Sequence, residues 1–181
     1  MTELPAGLVY REELVAQGEE AQLLAILESL RFDEIRIRGQ PARRTARHYG
    51  LGYDYGRRSP EPGEPIPDWL LPLREGGAEL GGVGADELVE ALVQRYPPGA
   101  GIGWHRDAPA FGAVVGVSLA SACRLRFRRG RPRERTTVEL ELAPRSGYVL
   151  AGEARWKWEH RIPATSELRY SITFRTLRDA A

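Results

Sequence analysis

From residue 91 onward the chain is a run of short segments with a period of two, separated by turns. RLRFR puts Leu125 and Phe127 on one side and Arg124, Arg126 and Arg128 on the other. TTVELEL repeats the pattern with Val138, Leu140 and Leu142. Side chains alternate across a strand, so this pattern fits half-buried strands and not a helix of period 3.6. AVVGVSLA is apolar on both faces, as a central, doubly covered strand is. ALVQRY, GYVLAG, ARWKWEHRI and RYSITFR complete the series, with turns such as PPG and RGRPRE between its members. Many short strands at near-regular spacing predict an antiparallel sandwich or barrel. The expected class is α+β, mainly β: a jelly roll with a helix and extra strands in front.

The helix is expected over residues 12–30, where Leu23, Leu24, Ile26, Leu27 and Leu30 recur at helical spacing and Gly18 weakens the centre. EIRIRG alternates as an exposed strand. ARRTARHYGLGYDYGRR then interleaves arginines with Tyr49, Tyr53 and Tyr55. Such a mixture suits nucleic acid, with guanidinium groups meeting phosphates and rings stacking on bases. It equally suits a solvated hairpin whose tyrosines fold onto the core. Residues 59–85 are rich in proline and glycine and read as a flexible connection, anchored by Trp69 and Leu70.

The length of 181 residues fits one domain over 1–181, with a lid at about 38–60 and a core at about 90–178. Net charge is +1, which gives no global signal for a polyanionic partner. Lys157 is the only lysine. Arginine suits forked contacts to phosphate and carboxylate, although a compositional bias of the genome explains the preference more simply. Cys123 is alone and sits in an apolar run, so a reducing, cytoplasmic location is expected. The N-terminus shows no signal-peptide pattern, and no apolar run approaches membrane-spanning length.

GWHRDAP places His105 and Asp107 two positions apart, on the same side of an extended segment. WKWEHRI puts Trp156, Trp158, His160 and Ile162 on one face of an expected strand, so His160 points inward. A His-x-Asp pair with a distant histidine is the ligand set of a mononuclear iron(II) site with open coordination positions. The plainer alternative is a surface pair and a satisfied core histidine. In RYSITFR, Arg169, Ser171, Thr173 and Arg175 share one face, and Tyr170, Ile172 and Phe174 share the other, packed on helices. Interior arginines need an anion, and no buried carboxylate is evident as their partner. A dicarboxylate bracketed by Arg169 and Arg175 is therefore expected, the plainer alternative being that one or both arginines pair with surface glutamates.

Taken together, QRYPPGAGIGWHRD, SL, GEARWKWEH and RYSITFR resemble the AlkB family of iron(II)/2-oxoglutarate dioxygenases. The likeness covers about residues 90–178 closely and about 40–75 loosely. It implies a double-stranded β-helix, with His105, Asp107 and His160 as iron ligands. Arg169 would grip the distal carboxylate of 2-oxoglutarate and Arg175 the end nearer the metal, with Tyr96 and Thr173 beside the cosubstrate. Gln94 and Ser171 stand where the family often has asparagine. RHYGLGYDY resembles the nucleotide-recognition lid, which implies contacts to nucleic acid from Tyr53, Tyr55 and Arg47, with Arg106 and Arg155 nearby. The implied activity uses Fe(II), 2-oxoglutarate and O2 to remove alkyl groups from bases of DNA or RNA, by a protein expected to be a monomer. The same chemistry on a protein or small molecule is the alternative. The arginines between Arg124 and Arg135 add to the basic surface or serve as a solvated strand edge.

Overall fold

The computed structural model describes residues 3–54, 57 and 59–178. In chain order the elements are β1 (Leu8–Arg11), α1 (Gln17–Ser29), β2 (Asp33–Ile37), β3 (Gln40–Asp54), β4 (Ser59–Pro62), α2 (Leu71–Gly81), β5 (Leu88–Tyr96), β6 (Ile102–His105), β7 (Phe111–Leu119), β8 (Cys123–Arg129), β9 (Thr136–Leu142), β10 (Gly147–Leu150), α3 (Gly152–Trp156), β11 (Glu159–Ile162) and β12 (Arg169–Leu177). Among the described residues these strands make two antiparallel sheets. The major sheet runs β1-β10-β7-β12-β5-β3-β2, with β4 paired to β3, and the minor sheet runs β6-β11-β8-β9.

The alternation read in the sequence becomes the two faces of β12. Tyr170, Ile172 and Phe174 join Leu23, Leu27, Leu73 and Ala78 in the core under α1 and α2. Arg169, Ser171, Thr173 and Arg175 face the other way, toward the minor sheet. A second core of Val114, Leu125, Phe127, Val138, Leu142, Tyr148, Leu150 and Trp158 fills the space between the sheets. β8 and β9 bury the residues their pattern assigned to the interior, with Leu140 partly covered. The helix of residues 12–30 is shorter than expected, beginning at Gln17, and buries Leu23 and Leu27.

Two local expectations are corrected. Residues 59–85 are not a flexible connection but carry β4 and α2. Pro72 lies in the first turn of α2, where its missing N–H costs nothing. Gly77 gives room, since a Cβ there would meet Val115 Cγ1 at 2.9 Å. Gly82 ends the helix with φ +64° and donates its N–H to the Ala78 and Glu79 carbonyls. Of the glycines that looked like linker, Gly77 makes a packing contact and Gly82 caps the helix. The second correction concerns WKWEHRI, in which only Glu159–Ile162 form a strand. Trp156 ends the short helix α3 and is 39 % exposed, so it does not share a buried face with His160.

The segment expected as a lid is part of the major sheet. β3 pairs with β5 from Thr45↔Arg95 through His48↔Leu92 to Gly50↔Glu90. One edge of β3 is thus fixed to the core strand that also pairs with β12.

Candidate active site

His105 and His160 are register partners across β6 and β11. Facing residues of an antiparallel pair have Cβ atoms about 5 Å apart, so the two imidazoles converge by strand pairing alone. Their ring centroids are 4.3 Å apart. Asp107 lies two residues beyond the end of β6 and turns back into the same space. Its Oδ1 is 3.7 Å from His105 Nε2 and 3.4 Å from His160 Nε2. All three ligand atoms lie within 4.8 Å of one another. Atoms bound to one small divalent ion sit about 3–3.5 Å apart, so modest closure completes the set. His105 Nδ1 lies 2.8 Å from the Gly103 carbonyl. That contact fixes the tautomer with Nδ1–H donating and leaves Nε2 free for a metal.

The electrostatics favour the metal-binding forms. Burial, then repulsion by His160, lowers His105 to about 4, so the ring is neutral near neutrality. Burial alone would raise the Asp107 carboxyl, but the Arg175 guanidinium and a hydrogen bond from His160 outweigh it and hold it well below the usual carboxylate range.

These groups line a cavity of about 520 Å³ between the sheets, with Gln94, Tyr96, Ser171, Thr173, Arg175 and Tyr148 on its wall. Gly116 admits the Tyr148 ring, which lies where a Cβ on residue 116 would stand. Tyr96 Oη donates to Gln94 Oε1 at 2.6 Å, and Gln94 is the register partner of Ser171. Burial pushes both Tyr96 and Tyr148 up, so both stay protonated donors.

Arg169 is fully buried. Its Nε donates to Ser118 Oγ at 2.9 Å, and its guanidinium lies 5.2 Å from the Tyr96 ring centroid. Nη1 and Nη2 are buried without a hydrogen-bond partner. A buried guanidinium edge is costly unless an anion meets it, and this edge presents two donors to a carboxylate. The donor set and this orphaned edge together fit a metal and a dicarboxylate. Arg175 differs from expectation, because it has internal partners. Nε donates to Asp107 Oδ2 at 2.7 Å and Nη1 to Glu90 Oε2 at 2.6 Å.

The residues expected to touch nucleic acid separate into groups. Arg47 lies on the face of β3 away from the cavity, pairs with Glu64 and Asp33, and stacks on Tyr49, which is buried in the helix-side core. Arg155 is 3 % exposed and donates to the carbonyls of Asp107, Ala108, Phe111 and Gly112, so it braces the loop that follows His105 and does not reach a partner. Arg106 is exposed on the cavity wall. Tyr55 lies outside the described residues, as does the Tyr53 side chain. The arginines of β8 are paired, two of them to one carboxylate: Arg124 and Arg126 pair with Glu139, Arg128 with Glu159 and Arg129 with Glu153.

Sequence reading missed Glu90, Arg44 and His48. Glu90 shares a face with Leu92, Gln94 and Tyr96 in LVEALVQRY, so strand parity alone pointed it inward. Arg44 and His48 flank Ala46 on the cavity side of β3, opposite in parity to Arg47 and Tyr49. Arg44 is 8 % exposed, with Nε buried and unpartnered.

The 2OG-Fe(II) oxygenase superfamily matches residues 14–175. The chain is 29% identical to the alkylated DNA repair protein ALKBH8 homolog of Arabidopsis thaliana, covering 96% of this chain and 59% of that one. It is 29% identical to the tRNA (carboxymethyluridine(34)-5-O)-methyltransferase ALKBH8 of Mus musculus, covering 88% and 24%. The probable RNA/DNA demethylase ALKBH6 of Danio rerio is 29% identical over 70% of this chain and 52% of its own length. The chain thus spans less than two thirds of each of these relatives. The fold is that of OsALKBH1, with a TM-score of 0.74 at 15% identity over 97% of this chain and 99% of that one. It is also that of a 2OG-Fe(II) oxygenase family oxidoreductase from Burkholderia pseudomallei, with a TM-score of 0.63 at 14% identity over 94% and 85%.

Proposed function

Because the chain belongs to the 2OG-Fe(II) oxygenase superfamily, on its AlkB-like branch, we propose that it removes alkyl groups oxidatively from nucleic-acid bases. The observation that carries the reading is the convergence of His105, Asp107 and His160 in a cavity whose wall includes Tyr96, with the orphaned guanidinium of Arg169 packed against that tyrosine ring. The names of two relatives, an alkylated DNA repair protein homolog and a probable RNA/DNA demethylase, support nucleic acid as the substrate class.

Iron(II) and 2-oxoglutarate, when bound, supply oxidation of a C–H bond by O2, with the cosubstrate leaving as succinate and carbon dioxide. Every other part of the work falls to side chains of this chain. Arg169 would hold the distal carboxylate, because Ser118 engages its Nε and both Nη groups are left without a partner. Tyr96, Gln94, Ser171 and Thr173 line the path between that end and the metal ligands. Phe111, Val114, Leu125 and Ile162 are among the apolar residues of the wall, which exclude water. A base must leave its stack to enter, and Arg44, His48 and Arg106 line the cavity where it would be met. An N-alkyl carbon that gains hydroxyl collapses to an aldehyde and the unmodified base.

We also propose that the chain acts as a single domain and a monomer in the cytoplasm. Buried Cys123 fits a reducing compartment, and among the described residues no helix is long and apolar enough to cross a membrane. The test is a mass-spectrometric screen of methylated DNA and RNA oligonucleotides with iron(II), 2-oxoglutarate and ascorbate. Loss of methyl from an oligonucleotide is the expected result. Succinate formation with every oligonucleotide intact would move the substrate to a protein or small molecule.

A further inference from the structure

Glu90 is a carboxylate at 2 % exposure, third in the strand Leu88–Tyr96 among buried apolar residues, and the proposed chemistry does not use it. It is the direct register partner of Arg175 across β5 and β12. Its Oε2 accepts from Arg175 Nη1 at 2.6 Å. The other face of the same guanidinium, Nε, donates to Asp107 Oδ2 at 2.7 Å. One planar group therefore bridges two buried carboxylates. Because the guanidinium is rigid, fixing Nη1 on Glu90 also fixes the direction of Nε.

The consequence falls on Asp107. It lies beyond the end of β6, where no strand ladder holds its backbone. Arg155 restrains its main chain through the Asp107 and Ala108 carbonyls. Arg175 restrains its side chain by capping Oδ2, which leaves Oδ1 as the oxygen that meets both histidine Nε2 atoms. The second carboxylate oxygen of Glu90 lies 3.7 Å from His48 Nδ1, so β3 touches the same chain of contacts.

We propose that Glu90 is a positioning residue of the metal centre, which holds Arg175 in the orientation that makes Asp107 a one-oxygen ligand. The proposal rests on the metal reading of His105, Asp107 and His160. Outer partners of metal ligands typically contribute 10–100-fold in metal affinity, and Glu90 acts one residue further out, at the lower end of that range. It makes Arg175 first a part of the metal centre and only then a donor to the cosubstrate.

The test measures cobalt(II) affinity of the purified metal-free chain by titration of the visible cobalt bands, with thermal unfolding of each metal-free variant alongside. Glu90→Leu removes the anchor, and Glu90→Asp withdraws it by one methylene. Both are expected to weaken cobalt binding by on the order of tenfold and to alter the band pattern. Glu90→Gln keeps an acceptor for Arg175 Nη1 and is expected to retain affinity near that of the parent. Should Glu90→Leu fail to fold, the comparison of Glu90→Asp with Glu90→Gln decides. Parent-like affinity and bands in a folded Glu90→Leu or Glu90→Asp chain overturn the proposal, as does equal weakening by Glu90→Gln. Failure of the metal reading itself looks different: the parent chain would not bind cobalt, or His105→Ala would bind it equally well.

Discussion

His105 and His160 face each other as a single register pair of β6 and β11, 4.3 Å between ring centroids. The candidate metal site is thus written into strand pairing, and losing either imidazole leaves the other in place. His160→Ala is expected to abolish 2-oxoglutarate turnover and to weaken cobalt binding by at least about 100-fold, since a ligand contributes more than the outer partners that orient it. The fold should persist, because Phe127, the register partner of His160 on β8, stays buried in the core between the sheets. Parent-like cobalt affinity in His160→Ala would remove it from the ligand set.

Arg169 gives a prediction of opposite signs. Its Nη groups are buried without partners, which destabilises the ligand-free chain. Arg169→Met should raise the melting temperature of the ligand-free protein and eliminate its further rise on adding 2-oxoglutarate. The loss in cosubstrate affinity should correspond to about 2–5 kcal/mol, the usual cost of truncating one member of a buried charge pair. Differential scanning fluorimetry across a 2-oxoglutarate series checks both signs. A ligand-dependent rise that survives in Arg169→Met would mean the carboxylate is held elsewhere.

Strand parity made much of this legible in advance. The split of RYSITFR into an arginine face and an aromatic face needed only a period of two, and the structure shows it. The same rule placed Val138 and Leu142 inward. What escaped depended on partners distant in sequence. Glu90 sits 85 residues from Arg175, so its role as an internal counter-ion appears only once β5 and β12 pair. Arg47 lies in a basic, aromatic stretch, yet parity on β3 turns it toward the helices, and composition cannot report which parity a strand adopts. Arg155 is basic in sequence but buried in structure, because four carbonyls of a tight loop happen to surround it.

That last arrangement predicts a structural phenotype. Arg155→Met leaves the carbonyls of residues 107, 108, 111 and 112 without their common donor. A buried acceptor left unmade costs about 1–3 kcal/mol, and although the Ala108 carbonyl keeps the Phe111 N–H, a loss of about 2–3 kcal/mol in unfolding free energy is expected. Urea unfolding followed by circular dichroism measures it. A variant within about 0.5 kcal/mol of the parent, the range of ordinary surface changes, would show that the loop holds without this brace.

α2 gives a packing prediction at Gly77, whose missing Cβ lets the helix lie on β7. Gly77→Ala adds a methyl group where Val115 Cγ1 would be 2.9 Å away. In an open helix the change would stabilise by roughly 0.5–1 kcal/mol. Against Val115, which is fully buried, overpacking should reverse the sign and cost about 1–3 kcal/mol. Gly76 has open space at the same position and serves as the control, with Gly76→Ala expected to stabilise. Stabilisation by both changes would show that the helix shifts freely on the sheet.

The substrate question comes down to two arginines three residues apart on β3. Arg44 lines the cavity with a buried, unpartnered Nε and one long contact from Nη1 to the Gly101 carbonyl at 3.5 Å. Arg47 already has Glu64 and Asp33 on the opposite face. If nucleic acid enters the cavity, Arg44→Gln should lower turnover of a methylated oligonucleotide by on the order of tenfold, about 1.4 kcal/mol, while leaving cobalt affinity unchanged. Arg47→Gln breaks an ion pair outside the cavity and should change turnover by less than about twofold. The reverse ranking would place the nucleic-acid contacts on the helix side of β3, and equal, small effects would count against entry of a base past Arg44.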